Sequence, residues 1–132
     1  MKEKTFDLLK INNFETLTKV QEDVLNELEK SRDLIVLAPT GTGKTHAFLF
    51  SILERVNFNE SNLQAIILSP TRELAMQTFD FSKKILEVEP KANIDLAIGG
   101  MDNARLERKL QNNPHILITT PGKLLDVLNW NT

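Results

Sequence analysis

The stretch "LIVLAPTGTGKT" at 34–45 constrains the fold more than any other part of the chain. A run of aliphatic residues leads into a glycine-containing loop that ends in Lys44 and Thr45. The spacing is A-x-x-x-x-G-K-T, the pattern of a phosphate-binding loop with Ala38 in place of the usual first glycine. Such a loop lies between a strand and a helix, because its backbone N–H groups and the positive helix N-terminus hold phosphate together. The alternative is a plain glycine turn followed by a solvated lysine.

The residues of this loop predict a nucleotide site with a magnesium ion. Gly41 and Gly43 allow backbone conformations that turn N–H groups inward. Lys44 is then expected to contact the β- and γ-phosphates, and the hydroxyl of Thr45 to hold a Mg²⁺ ion that bridges them. Lys44 and Thr45 are therefore the candidate catalytic residues.

Further aliphatic runs predict further strands. "AIILS" (65–69) and "HILIT" (115–119), like "LIVLA" (34–38), are nearly continuous, as in parallel strands that are covered on both faces. "NIDLAI" (93–98) alternates apolar with other residues, which predicts a strand near an edge. The alternation of strands with helical patterns predicts an α/β fold, a parallel sheet flanked by helices, as one domain over 1–132. The helical patterns cover 44–56, 72–87, 102–111 and a stretch that opens near Lys123.

The histidines and the apolar faces of two predicted helices are interpreted as structural features. The two histidines, His46 and His115, lie far apart and have no carboxylate or cysteine at metal-ligand spacing, so we interpret both as structural residues. In the helix predicted over 44–56, the periodicity assigns Phe48, Leu49 and Ile52 to the core face. In the helix predicted over 72–87, it assigns Met76, Phe79 and Leu86 to that face.

The composition argues against several classes of function. With a net charge of −2, the chain does not bind nucleic acid by bulk positive charge, so any such contact depends on individually placed groups. There is no cysteine for disulfides or thiolate chemistry. No stretch approaches the ~20 apolar residues of a membrane span, and the N-terminus is too polar for a signal sequence. We therefore expect a cytoplasmic protein without a membrane partner.

Three junctions between a predicted strand and a predicted helix carry polar or glycine-rich sequence: "SPTRELAMQ", "GGMDNARL" and "TTPGK". Asp102 and Thr120 are suitable N-caps, and Pro121 suits the first helical position, where its missing N–H costs nothing. Parallel strands place all these junctions at one edge of the sheet, so several helix N-termini face the same side. They can hold a phosphodiester chain; simple helix capping is the alternative.

These motifs, in this order and spacing, resemble the first four core motifs of the DEAD-box family of ATP-dependent RNA helicases. They are "APTGTGKT", "PTRELAMQ", the "GG" at 99–100 and "TPGK" at 120–123. Upstream, "FETLTKVQ" (14–21) is similar to the family's adenine-reading element, with Leu17 in place of its proline. The resemblance covers the whole chain. It implies the N-terminal portion of a first RecA-like, P-loop NTPase domain that is incomplete, with the Asp-Glu-Ala-Asp element and the second helicase domain expected beyond Thr132.

The resemblance also implies which residues bind ATP and RNA. Gln21 is implied to read adenine, although Thr18 and Gln21 also form a capping-box pattern that needs no ligand. Lys123 stands where the family more often has arginine. The implied nucleotide residues, with ATP and Mg²⁺ as cofactors, are Phe14, Thr18, Gln21, Ala38, Thr40, Gly41, Thr42, Gly43, Lys44 and Thr45. The implied path of single-stranded or short duplex RNA is lined by Pro70, Thr71, Arg72, Gly100, Thr120, Pro121, Gly122 and Lys123.

The predicted function is that of an ATP-dependent RNA helicase, of which this chain is a fragment. A phosphate-loop ATPase needs an acidic residue at the end of another strand to hold magnesium, and a carboxylate beside it to activate water. No strand predicted here ends in Asp or Glu, so we expect the 132-residue chain alone to be inactive. The alternatives are a DNA-directed helicase of the same superfamily and a catalytically silent nucleotide- or RNA-binding module.

Overall fold

Short parallel strands alternate with longer helices in the computed structural model, which describes residues 19–28 and 44–130. The chain divides into two compact units, Met1–Val56 and Asn57–Thr132. The elements are α1 (Lys19–Leu28), α2 (Lys44–Arg55), β1 (Ala65–Leu68), α3 (Arg72–Val88), β2 (Ile94–Ala97), α4 (Asn103–Gln111), β3 (Ile116–Thr119) and α5 (Pro121–Trp130). The predicted helix boundaries hold within one residue, except that α5 begins two residues before Lys123, at Pro121.

Helices α1 and α2 of the first unit pack against each other. In α2, Leu49, Phe50 and Leu53 are buried, Ile52 is half-buried and Phe48 is exposed. The prediction was therefore right for Leu49 and wrong for Phe48. Successive helical residues are turned by about 100°, so a run of three large apolar residues cannot lie on one face, and the outermost of them faces away.

The three strands of the second unit form a parallel sheet in the order β1-β3-β2. In the register, Ile116 of β3 is paired with Ala65 of β1 on one side and with Ile94 of β2 on the other. All four residues of β3 are buried, as expected of a central strand that is covered on both faces. Among the described strands β2 lies at an end of the sheet, as predicted for a strand near an edge, and the predicted parallel sheet is confirmed.

Strand β1 departs from the sequence prediction. The run "AIILS" was expected to be covered on both faces, but Ile66 is 46% exposed and Leu68 is 53% exposed. In the described part of the chain β1 is the end strand of the sheet, and α3 packs against β2 and β3. One face of β1 therefore remains open to solvent. A continuous apolar run does not say whether each face has a cover.

The helices lie on both faces of the sheet. The chain crosses from β1 past β3 to β2 and then returns to β3, so the two right-handed crossovers, α3 and α4, run in opposite directions and lie on opposite faces. On the α4 face, one buried cluster joins α4 and α5 to β2 and β3. It consists of Ala97, Leu106, Leu117 and Val127, with Leu110 packed against it.

Helix α3 buries a different set of residues from the one that was predicted. Its buried residues are Ala75, Ser82 and Ile85, whereas Met76 and Leu86 are exposed. The third predicted core residue, Phe79, is half-buried. Ala75 and Ser82 lie seven residues, or about two helical turns, apart, and so belong to one buried stripe of the helix. The prediction weighted side-chain size and missed this stripe.

His115 lies at the amino end of β3 and holds two loops together. Its Nδ1 accepts a hydrogen bond of 2.9 Å from the Asn93 N–H, and its backbone N–H donates to the Asn93 carbonyl at 2.8 Å. The buried ring packs edge-to-face on Phe58, with 5.2 Å between the ring centroids. The structural role predicted for His115 is thus confirmed. The side chain of His46 lies outside the described residues.

Within residues 19–28 and 44–130, no helix has the length and apolar content needed to cross a bilayer. The same ranges hold no group of three or more His, Cys, Asp or Glu residues that can bind a metal ion.

Asp95 of β2 is partly buried, and its environment predicts how stability depends on pH. Burial raises the pKa of Asp95, and the nearby Lys109 ammonium of α4 opposes this shift in part. A raised pKa means that the folded state disfavours the charged form. Folding therefore pays a penalty that is present above the folded pKa and disappears as the pH falls below the pKa of the unfolded chain.

We expect Asp95→Asn to raise the free energy of unfolding of the chain at neutral pH. The advantage should shrink as the pH is lowered, because the wild-type carboxyl then becomes neutral as well. Urea unfolding across this range measures it, with Asp80→Asn, an exposed carboxylate of α3, as the matched control. A variant that is less stable than wild type at neutral pH would show that the attraction of Lys109 outweighs burial.

Candidate functional site

Most of the predicted nucleotide loop lies outside the described residues. Helix α2 begins at Lys44, as the motif predicts, so the first turn of a helix follows the glycines. The backbone of Lys44 and Thr45 belongs to the described part of the structure, and their side chains lie outside it. The predicted strand "LIVLA" and the candidate residues Phe14, Thr18, Ala38, Thr40, Gly41, Thr42 and Gly43 lie outside the described ranges.

Gln21 lies in the first turn of α1 and is fully buried. Helix α1 begins at Lys19, which is where a helix capped by the preceding threonine would start. A buried side-chain amide is held in a fixed orientation, which capping and the reading of a base both use. Adenine recognition by Gln21 therefore stays a prediction.

The candidate RNA residues follow the carboxyl ends of the three strands. Pro70 to Arg72 follow β1, Gly100 follows β2, and Thr120 to Lys123 follow β3. Because all three strands are parallel, these segments lie along one edge of the sheet. The structure thus brings together three motifs that are distant in the sequence.

At the first junction, Thr71 is the N-cap of α3. Its Oγ1 accepts a hydrogen bond of 3.2 Å from the Leu74 N–H, and its carbonyl accepts one of 3.0 Å from the Ala75 N–H. Pro70 and Arg72 on either side are exposed. The cap fixes the direction in which α3 leaves the sheet, and so fixes where the Arg72 backbone lies.

The Arg72 guanidinium lies against Gly100. A Cβ atom added at Gly100 would be 3.3 Å from Nη2 of Arg72. Gly100 has φ of +87°, in the left-handed region that favours glycine. The absence of a side chain at this turn therefore has two causes, the backbone conformation and the close approach of a cation.

At the second junction, Asp102 is the N-cap of α4, as predicted. Its Oδ1 accepts a hydrogen bond of 3.0 Å from the Ala104 N–H. The carboxylate also puts a negative charge at the positive end of this helix. A cavity of about 250 Å³ lies beside this turn, lined by Met101, Asp102, Arg105, Leu106 and Lys109.

At the third junction, Pro121 is the first residue of α5, as predicted, and the Thr120 carbonyl accepts a hydrogen bond of 2.9 Å from the Leu124 N–H. Pro121 and Gly122 are exposed, and Thr120 is half-buried. Lys123, however, is buried, and its ammonium donates a hydrogen bond of 2.7 Å to Oδ1 of Asn103. Phosphate binding by Lys123 stays a prediction, and it would compete with the hydrogen bond to Asn103.

Two residues that hold this edge together have little or no signature in the sequence. Thr119 is fully buried at the end of β3, and its hydroxyl donates a hydrogen bond of 2.7 Å to the Ala97 carbonyl of β2. A threonine at the end of an aliphatic run is a weak signal for such a bond. Asn103, the acceptor for Lys123, gave no signal because its partner lies 20 residues further along the chain.

Comparison with known proteins gives a consistent result. A family profile described as DEAD/DEAH box helicase matches residues 18–132. The chain is 40% identical to the DEAD-box ATP-dependent RNA helicase CshA of Bacillus subtilis, over 96% of the chain and 26% of that protein. It is 36% identical to the ATP-dependent RNA helicase DRS1 of Lodderomyces elongisporus, over 96% of the chain and 20% of that protein. The chain thus spans about a quarter or less of the length of these curated relatives.

Solved structures show the same fold. The chain matches Saccharomyces cerevisiae Dbp5 bound to RNA and ADP BeF3 with a TM-score of 0.84 and 29% identity, over 98% of the chain and 32% of that structure. It matches a hypothetical ATP-dependent RNA helicase from Sulfolobus tokodaii with a TM-score of 0.81 and 27% identity, over 98% and 37%. The predicted RecA-like fold is confirmed.

The two adjacent glycines of the second junction give a matched test of the turn. Gly100→Ala should lower the free energy of unfolding by about 1–2 kcal/mol, because alanine is strained in the left-handed region and its Cβ crowds Arg72. Gly99→Ala should change it by less than about 0.5 kcal/mol, since no atom lies within 4 Å of an added Cβ. Urea unfolding of the chain measures both, and equal losses in the two variants would contradict the geometry of the turn.

Proposed function

Because the chain belongs to the DEAD/DEAH box helicase family, we propose that the whole protein is a DEAD-box ATP-dependent RNA helicase. The chain supplies the N-terminal portion of its first RecA-like domain. The observation that carries the RNA part of this proposal is the edge of the sheet, where the Arg72 guanidinium lies against the Gly100 turn and the exposed start of α5 follows β3. These groups offer a cation and backbone N–H donors, which suit phosphate oxygens.

The ATP part of the proposal rests on the phosphate loop. The start of α2 at Lys44 fits it, because the first N–H groups of a helix lack intrahelical partners and attract phosphate. Residues Gly41 to Thr45 would hold the triphosphate, and the Thr45 hydroxyl would be a ligand of Mg²⁺. The ion, when bound, neutralises charge on the β- and γ-phosphates. Gln21 would recognise adenine, since a side-chain amide pairs with both the N6 amine and N7.

Along the proposed RNA path, charge favours two of the three junctions. At α4 the Asp102 carboxylate already occupies the helix N-terminus, and it repels a phosphate. At α3 the neutral Thr71 is the cap, and Arg72 adds a positive charge. At α5, Pro121 and Gly122 leave the first turn exposed. We therefore propose that the RNA backbone runs past Arg72 and Gly100 to the start of α5.

Contacts of this kind do not read base sequence. Backbone amides and a guanidinium bind phosphate whatever the base, so the proposed grip is independent of sequence. The described strands are followed by Ser69, Ile98 and Thr120, none of which carries a carboxylate. That the chain alone hydrolyses no ATP accordingly stays part of the proposal.

We expect the whole protein to prefer ATP to GTP by about 1–3 kcal/mol, since guanine has an acceptor where Gln21 meets the N6 donor of adenine. Gln21→Ala should remove this preference. Because Gln21 is buried, Val24→Ala, a buried neighbour one helical turn on, is the matched control that tests for mere loss of packing. Calorimetric titration with ATP and GTP decides: a preference that survives in Gln21→Ala leaves Gln21 as a capping residue.

We expect Arg72→Ala to weaken binding of single-stranded RNA equally for poly(U) and poly(A). The slope of log K against log salt is negative, and its magnitude should decrease by about 0.7, because one phosphate contact on a single strand is lost. Arg108→Ala, which removes an exposed cation in the last turn of α4, is the control and should leave the slope unchanged.

The same titration, with ATP present, tests the proposed function itself. Fluorescence anisotropy with RNA and with DNA of one sequence separates the alternatives. Equal affinity for the RNA strand and the DNA strand would favour the DNA-directed alternative. Failure of RNA to stimulate ATP hydrolysis by the whole protein would overturn the helicase assignment and favour a silent binding module.

A further inference from the structure

Lys123 is in an unusual position for a lysine in a proposed phosphate site. It is the third residue of α5, next to the exposed Gly122, yet it is only 8% exposed. Lysine is almost never fully buried unless it is paired. Its Nζ donates a hydrogen bond of 2.7 Å to Oδ1 of Asn103. This distance lies at the short end for an N–H···O bond, as is typical of a charged donor.

The bond joins the first turns of two helices. Asn103 is the first residue of α4, three positions after Gly100, whereas Lys123 belongs to the first turn of α5. Directly before these helices, the strands β2 and β3 are joined by the hydrogen bond from the Thr119 hydroxyl to the Ala97 carbonyl. The two bonds therefore link the same pair of strand–helix segments at successive levels.

No earlier side chain of α5 can make such a link. Pro121 has no donor, and Gly122 has no side chain. Lys123 is thus the first residue of α5 whose side chain reaches across to α4. The bond from the Thr119 hydroxyl to the Ala97 carbonyl holds the same two segments one level below.

We infer that Lys123 is a positioning residue, which acts through Asn103 to hold the Gly100 turn and the start of α5 at a fixed separation. This inference rests on the proposed function, because that separation matters for two phosphate contacts on one RNA strand. A lysine that binds phosphate keeps its ammonium at the surface. The Lys123 side chain is instead largely buried and its ammonium is bonded to Asn103, so contact with phosphate would require the ammonium to leave that partner.

RNA binding by the whole protein, measured with ATP over a range of salt concentrations, separates the two roles. Lys123→Met preserves the side-chain volume, and Asn103→Ala truncates the exposed partner. Each variant should weaken binding by about three- to tenfold, and the double variant should be no weaker than the weaker single variant. The salt slope should stay at the wild-type value in all three, while Arg72→Ala serves as the reference whose slope falls.

A direct phosphate contact would give the opposite pattern. Asn103→Ala would then bind RNA as tightly as wild type or more tightly, because the ammonium is released. Lys123→Met alone would weaken binding and lower the salt slope by about 0.7. That result would overturn the positioning role. Wild-type affinity in Lys123→Arg, together with weak binding in Asn103→Ala, would support the positioning role.

Hydrogen exchange tests the link without RNA. Asn103→Ala should speed exchange of the Leu124 N–H, which donates to the Thr120 carbonyl at the start of α5, and Lys123→Met should speed exchange of the Leu106 N–H, which donates to the Asp102 carbonyl at the start of α4. Arg108→Ala, the exposed control of α4, should affect neither helix start. Faster exchange confined to the substituted helix would overturn the inference. If the exchange is coupled but the wild-type protein binds no RNA, the proposed function has failed and the positioning role is overturned with it.

Discussion

The double pairing of β3 is the interaction on which the second unit depends. This strand is hydrogen-bonded in parallel to β1 and to β2, and its four residues are buried. Since parallel pairing sets both direction and register, it places the ends of all three strands at the same level. The helices that follow then begin side by side, and residues that are far apart in the sequence become neighbours.

Side chains at that level complete the arrangement. The Thr119 hydroxyl joins β3 to β2, Lys123 joins α5 to α4, and Arg72 covers the Gly100 turn. Three links of different chemistry thus connect three junctions in a chain with a net charge of −2. The positive potential at this edge is created locally, by the Arg72 guanidinium and by helix N-termini, and the Asp102 carboxylate restricts it to part of the edge.

The sequence predicts local features well and long-range partners poorly. The start of α2 after the glycines, the Asp102 cap and Pro121 at the first position of α5 are set by neighbouring residues, so motif and capping rules find them. The exposure of Ile66 depends on which strands and helices cover β1, and an apolar run carries no such information.

The same limit applies to side chains that pair across the fold. The bond between Lys123 and Asn103 exists because two crossovers bring two helix starts together, which no spacing rule encodes. Helix α3 illustrates a further limit, because it buries Ala75, Ser82 and Ile85 and leaves the large apolar Met76 exposed. Packing of a helix on a sheet is decided by fit, whereas periodicity ranks residues by their size and hydrophobicity.

The contact between Arg72 and Gly100 limits how sequences with this edge can diverge. A side chain at position 100 meets an unfavourable backbone conformation and a guanidinium at once. Removing the arginine relieves only the second problem, and reshaping the turn relieves only the first. Glycine at position 100 accepts any residue at position 72, whereas a side chain at position 100 is unfavourable until both the turn and position 72 have changed. Position 72 is therefore free to change first, and position 100 is expected to stay glycine until the turn has been reshaped as well.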